Sequence, residues 1–318
     1  MIPFNSVPPC LENFIGVRCL TTNPSSGLWI NDLPGINLGY AADIVDRGGM
    51  SGLQFLQEKI DFATRLVVQE LSGAALPYFR MNSIIDQVHA GEWKSTFIAP
   101  ANIDRGVKIT ANKSRLLRVR VNNVKIKIQQ ANYSGNIKCD DGVSYTLFPF
   151  TTDANGEAEI FPNYLSNTKD LWVLLNNNGI NVNNSEVKTG CGCSSKASRY
   201  MTATGWNGSG LANSTYGLQV DATAECSYDE FACIISAKLP FLILYKAGIE
   251  IIKEAITTDR LNSITLLDTD KAQFMLSDFT KEYDKHSKML IDSLPELFKR
   301  VDDCCIMCNQ AKYVIGRP

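Results

Sequence analysis

The apolar residues of this chain change their spacing twice, and those changes limit the fold more than any motif does. Between Ser51 and Leu71, the residues Leu53, Leu56, Ile60, Ala63, Leu66, Val67 and Leu71 recur at helical intervals. From Trp93 to about Thr223 the interval is two, as in Leu117, Val119, Val121 and then Val124, Ile126, Ile128. Helical spacing then returns, with Phe231, Ile235, Leu239, Leu242, Tyr245, Ile249, Ile252 and Ile256 on one face. This order predicts an α+β fold: a helical domain built from N- and C-terminal helices, with an inserted antiparallel β-sandwich.

The expected divisions are 1–92, an N-terminal arm and helical hairpin; 93–223, the inserted β-sandwich; and 224–318, a long antiparallel helix pair with a Cys-rich end that packs on 40–92. In the first, Tyr40–Asp46 and Ser51–Leu71 read as helices and Met81–His89 as a shorter third. Ser51 with Gln54 forms a capping box, and Gly73 is the expected stop. In the second, the apolar parity flips at Asn122-Asn123, as a bulge or tight turn would make it. Further strands are expected at Gly135–Cys139, Val143–Phe150, Glu157–Phe161 and Leu171–Leu175. The turns between them lie at Asp140-Asp141-Gly142 and at Asp153–Gly156, and an Asn-rich loop at Asn176–Asn184.

In the third division two amphipathic segments, Ser227–Thr258 and Asp270–Val301, are joined around Asn262–Thr269. Short connections force neighbours, so they should pack antiparallel as rods of about 45 Å each. Pro240 should kink or break the first rod, and Pro295 is expected to shorten the second. Reversed polarity brings the head of one rod to the tail of the other. Cys226, Cys233, Cys304, Cys305 and Cys308 would then gather at one end. With Cys191-Gly192-Cys193, this cluster is the one candidate for a structural zinc site. Buried unpaired thiols are the expected state of these cysteines, with disulfides as a further option, and no cofactor is expected otherwise.

Net charge is −2, which argues against a general nucleic-acid binder. Arg115, Arg118, Arg120, Lys125 and Lys127 alternate with apolar residues and read as the polar face of a half-buried strand. No phosphate-cradling Gly-rich loop, nucleophile elbow or zinc helix is present in the sequence. His89, expected at a helix end, and His286, expected on a solvated helix face, read as surface residues. These observations point away from an enzyme. No secretory signal or membrane span is read, and the five Asn-x-Ser/Thr sequons then reflect an Asn-rich surface. The run Ser26–Ile36 carries Leu28, Trp29, Ile30, Leu33 and Ile36; it is expected to dock on the helices, and these five are candidates for reaching a neighbouring subunit.

Several strings taken together, Ser26–Ile36, Cys191-Gly192-Cys193, Cys226-Ser227-Tyr228-Asp229, the Glu254–Asn262 segment and Cys304-Cys305-x-x-Cys308, resemble proteins of Bacteroidetes phages and prophages. The resemblance spans most of the chain and is to ring, neck or tail-barrel components of crAss-like phages. It implies a structural virion subunit made in the bacterial cytoplasm, with twelve copies in a ring. It also implies neighbouring tail rings, the portal or tail fibres as partners, and a lumen through which phage DNA passes. The alternative is a glycan- or partner-binding β-sandwich of the adhesin type, for which exposed Tyr133, Tyr145, Trp172 and Trp206 would be the stacking platforms.

Overall fold

The computed structural model describes residues 7–45, 50–80, 82–176, 178–189, 199–257, 269–299 and 304–306. The fold is mixed α+β, and the chain divides into two compact units. Unit 1 comprises Met1–Phe79, Tyr228–Asp302 and Cys308–Pro318; unit 2 comprises Arg80–Ser227 and Asp303–Met307. The β-rich part therefore begins before residue 93 and ends after 223.

Among the described residues unit 1 holds five α-helices: α1 Leu38–Val45, α2 Gly52–Ala75, α3 Tyr228–Ile235, α4 Pro240–Thr257 and α5 Thr269–Lys299. An arm precedes them, made of 3₁₀ turns at Pro9–Leu11 and Ile30–Asp32 and a small parallel pair, β1 Ile15–Gly16 with β2 Leu28–Trp29. The capping box forms as read. Gln54 N–H donates to Ser51 Oγ at 3.2 Å, and Ser51 N–H donates to Gln54 Oε1 at 3.0 Å. Gly73 does not stop α2. The following turn is anchored by fully buried Ala75, and a helical glycine there costs only about 0.5–1 kcal/mol.

The rod expected over Ser227–Thr258 is instead two helices bent by 94°. Pro240 opens α4, the position where a missing N–H is harmless. The 18 residues of α4 span about 27 Å and the 31 of α5 about 46 Å, so only the second rod has the expected length. Pro295 leaves α5 intact. It removes one hydrogen bond, to the carbonyl of Ile291, and that residue is exposed enough for water to replace the donor. Along the seam, Lys238 meets Ser293, Phe241 meets His286, and Gly248 meets Phe279. One set of numbers rises as the other falls, so α4 and α5 are antiparallel. Among the described residues no single helix is long and apolar enough to cross a membrane. The link expected around Asn262–Thr269 lies mostly outside the described residues.

Unit 2 contains β3 Ile84–Glu92, β4 Phe97–Ile98, β5 Asp104–Ala111, β6 Leu117–Lys127 and β7 Ser134–Asp140. It continues with β8 Tyr145–Thr151, β9 Glu157–Ile160, β10 Tyr164–Leu165, β11 Asp170–Asn176 and β12 Val182–Asn183. It ends with β13 Glu186–Thr189, β14 Met201–Trp206, β15 Leu211–Ala212 and β16 Leu218–Cys226. One six-stranded sheet runs β10-β6-β16-β3-β13 with β9 also beside β6; the other runs β15-β14-β5-β11-β7-β8. All their pairings are antiparallel.

The period of two decides which side chains are buried. Val119, Val121, Val124 and Ile126 of β6, Val107 and Ile109 of β5, and Leu171, Val173 and Leu175 of β11 are all at most 1% exposed. The parity flip is a bulge: β16 pairs Asp221 with Asn123 but Ala222 with Val121, leaving Asn122 as the extra residue. Without it, Val124 and Ile126 would point away from the core. The helix expected over Met81–His89 is wrong. Ile84–Glu92 is strand β3, pairing with β16 on one side and β13 on the other, and this sheet partnership overrides local helical spacing.

Candidate functional site

The five-cysteine cluster does not assemble as one site. Cys226 closes β16 and is disulfide-bonded to Cys305, with Cα atoms 5.5 Å apart. This pairing bears out the expected approach of the two segment ends. Cys233, in α3, is bonded instead to Cys10 of the arm, with Cα atoms 5.7 Å apart. Both spacings are ordinary for a disulfide. Three of the five candidate ligands are thereby consumed, so they are neither zinc ligands nor unpaired thiols. Cys308, Cys191 and Cys193 lie outside the described residues. Among the described residues no group of three His, Cys, Asp or Glu side chains is placed to hold a metal ion.

Two hydrogen bonds fix the surroundings of the Cys226–Cys305 bond. Asn82 N–H donates to the Cys226 carbonyl at 3.0 Å, and Arg80 N–H donates to the Cys305 carbonyl at 2.8 Å. The short piece Cys304–Ile306 is thus stitched to the start of unit 2. Sequence reading placed Cys10 and Cys19 around Phe14–Val17 but did not count Cys10 among the candidate site cysteines. Its sequence neighbours, Pro8-Pro9 before it and Cys19 nine residues on, give no sign of a partner in α3.

The arm docks, as expected, on the chain's own helices. Ile30, Leu33 and Ile36 are buried, and Leu33 packs against Gly248 of α4, where a Cβ would come within 2.7 Å of its methyl. These three cannot also face a neighbour in this conformation. Leu28 and Trp29 are half-exposed, and Arg18 stacks over the Trp29 ring while pairing with Asp32. Between the arm and α2 lies an open hollow of about 750 Å³, lined by Glu12, Asn13, Thr22, Gln57 and Asp61 among others.

The basic run of β6 is neutralised strand by strand. Arg120 pairs with Glu225 of β16 at 2.7 Å, Lys125 with Glu159 at 3.6 Å and Lys127 with Glu157 at 2.7 Å, both acids on β9. A phosphate backbone would find carboxylates between the cations. On the other sheet Val173 and Leu175 face the core, so Trp172 points to the opposite side. Trp172 sits edge-on to Trp206 at 6.2 Å, under Lys108, whose Nζ also meets Asp170 at 3.1 Å. Tyr145 repeats the pattern with Lys138 over its ring and Asp140 at 2.6 Å from the ammonium. Tyr133 is separate and packs on Phe150.

Within the expected Asp140-Asp141-Gly142 turn, Asp141 is buried and accepts from the N–H groups of Val143, Ser144 and Asn167 and from the Tyr164 hydroxyl. Burial opposes its ionisation, but these donors prevail and hold its carboxyl below the usual range. Nothing in the sequence of the turn distinguishes this acid from its neighbour Asp140. His89 lies on β3, not at a helix end, with Nδ1 2.5 Å from Asp221 on β16. That hydrogen bond outweighs partial burial and keeps the imidazole charged to a higher pH than usual. His286 is half-buried and stacked against Phe241 and Tyr245 of α4, not solvated as expected. The polar groups described above act as structural ties within sheets and helix seams. No family model, curated protein or solved structure matches this chain.

Proposed function

We propose that this chain is a non-catalytic structural subunit of a closed ring in a phage neck or tail barrel, held by head-to-tail contacts between copies. On this reading helices from both ends of the chain form one scaffold, and the two six-stranded sheets make an inserted antiparallel β-sandwich; the mixed α+β fold and its two compact units support it. The observation that carries it is the exposure of large apolar side chains on both units. In unit 1, α5 shows Phe274 at 72% and Met289 at 63%; in unit 2, the β7–β8 corner shows Val143 at 78% and Tyr145 at 62%. A head-to-tail interface needs two unlike patches per subunit, whereas a two-fold dimer needs one self-complementary patch. The ring would stack on the portal, other tail rings or fibres in the virion, with DNA passing through its lumen.

The test is mass photometry and negative-stain microscopy of the purified chain, with Phe274→Glu and Tyr145→Glu made separately. Closed rings from the parent are expected, with neither variant closing alone and an equimolar mixture yielding pairs but no rings. A parent that stays monomeric at roughly 10 µM or above, or variants that still close, would remove the proposal. A second reading, glycan binding by the β unit, rests on Trp172, Trp206 and Tyr145 sharing one outward sheet face. Glycan-array binding lost on Trp206→Ala would favour it.

A further inference from the structure

We propose that the Cys10–Cys233 disulfide is a redox latch on the N-terminal arm, opened by small thiols under conditions that leave Cys226–Cys305 closed. The two bonds differ first in access. Cys10 and Cys233 are both partly exposed, whereas Cys226 and Cys305 are each 0% exposed. Thiol exchange requires a thiolate to reach one sulfur, so the first bond reacts in the folded protein and the second is shielded.

They differ also in what else holds the joined pieces. The Cys304–Ile306 segment keeps the Arg80 hydrogen bond to the Cys305 carbonyl when its disulfide is cut. In the part of the arm just after Cys10, Leu11 and Phe14 are buried, but the residues between them are not packed. Residues Glu12, Asn13 and Thr22 face Gln57 and Asp61 across the open hollow, so this side of the arm is not packed onto α2. Farther along, Ile15, Ile30 and Ile36 are almost wholly buried and remain seated whatever happens to the sulfurs. Cutting the latch therefore lets residues 7–14 leave their seat by local opening, without unfolding unit 1.

The chemistry is balanced by an ordinary thiol couple. A glutathione thiolate attacks the Cys10 or Cys233 sulfur, forming a mixed disulfide and releasing the other sulfur as a thiolate that takes up a proton. A second glutathione thiolate then displaces the protein sulfur. Two glutathione molecules leave as one glutathione disulfide, and both cysteines end as thiols; two electrons have moved from glutathione to the protein. Glutathione disulfide runs the sequence backwards. For a ring subunit (this clause rests on the proposed function) the arm would be open during assembly in a reducing cytoplasm and fastened after release into an oxidising medium.

The test uses the full oxidised chain, equilibrated in graded mixtures of reduced and oxidised glutathione, quenched with iodoacetamide and mapped by peptide mass spectrometry. Brief chymotrypsin treatment of each sample reads cleavage after Leu11, whose side chain is buried while the arm is closed. Alkylation of Cys10 and Cys233 should precede that of Cys226 and Cys305. Cleavage after Leu11 should rise together with it, on the order of 10-fold, while far-ultraviolet circular dichroism is unchanged. Cys10→Ser and Cys233→Ser should each show the high cleavage rate without reductant. Loss of both disulfides in one step, equal cleavage with the latch open and closed, or a Cys10–Cys233 bond found between two chains would each overturn the proposal. Because the parent is tested by reduction alone, a variant that fails to fold does not decide the matter. Ring closure is scored separately, so failure of the latch and failure of the assembly reading are distinguishable.

Discussion

In unit 2, Asp141 is 2% exposed and satisfies three backbone N–H groups and a tyrosine hydroxyl. In unit 1 Glu70 of α2, which ties three helices, is half in solvent. It pairs with Lys246 of α4 at 2.6 Å and accepts from the Tyr283 hydroxyl of α5. The first carboxylate organises backbone that has no sheet or helix partner of its own; the second joins helices whose backbones are already satisfied. Loops between strands depend on such buried acceptors, because their donors have nowhere else to go. Helix seams depend on shape, and polar ties add little to them.

The largest effect should therefore come from Asp141→Ala, which strands several donors and should cost roughly 3 kcal/mol or more. Asp141→Asn, keeping one acceptor oxygen, should cost less. Urea titration with hydrogen exchange resolved by peptide should place the loss in unit 2, and equal loss in both units would break the contrast. The pH dependence has a fixed sign. Asp141 has a folded pKa below its unfolded value, so its contribution is complete above the ordinary carboxylate range and disappears as pH falls through the lowered pKa. Urea midpoints between pH 5 and pH 2 should fall less steeply for Asp141→Asn than for the parent.

Next in size is Gly248→Ala, a test of shape at the seam. A new Cβ would lie 2.7 Å from a Leu33 methyl and 2.9 Å from the Phe279 ring. The methyl can swing aside, but the ring, held between helices, cannot easily do so, and a loss of about 1–2 kcal/mol is expected. Glu70→Gln should cost less, on the order of 1 kcal/mol or below, because its ion pair is half-exposed and screened. If Glu70→Gln proves more damaging than Gly248→Ala, polar ties and not shape control unit 1. Smallest, and of opposite sign, is Gly73→Ala. Its Cβ would meet nothing within 4 Å, and α2 should gain roughly 0.5–1 kcal/mol, read as a raised thermal midpoint.

Legibility in the sequence followed the same division. Periodicity, together with local motifs, located α2, its capping box, β6, β7 and β11 and the Asn122 bulge, because each shows itself in the spacing of its own residues. It failed at Ile84–Glu92, where pairing with β16, more than a hundred residues away, decides the conformation. It failed again at Ser227–Thr258, where Pro240 was noticed but the size of the bend depends on what α3 packs against: Phe231 stacks with Phe79 and Phe298. The candidate sites were less legible still. Reversed helix polarity correctly brought Cys226 towards Cys305, yet nothing local could pair Cys233 with Cys10, 223 residues earlier. His89 was misplaced because its strand was, and with it the Asp221 partnership.

The bond from Cys226 to Cys305 also imposes an order on events at the ribosome. Every strand of unit 2 has been synthesised once Cys226 is made, but its covalent closure waits for a cysteine 79 residues downstream. At bacterial translation speeds of roughly 5–20 residues per second, that interval is on the order of 4–16 s. During it the nascent β unit has all its strands and no staple. A chaperone or a second nascent chain meeting it then would find a folded but unfastened intermediate, and truncation before Cys305 would make that interval permanent.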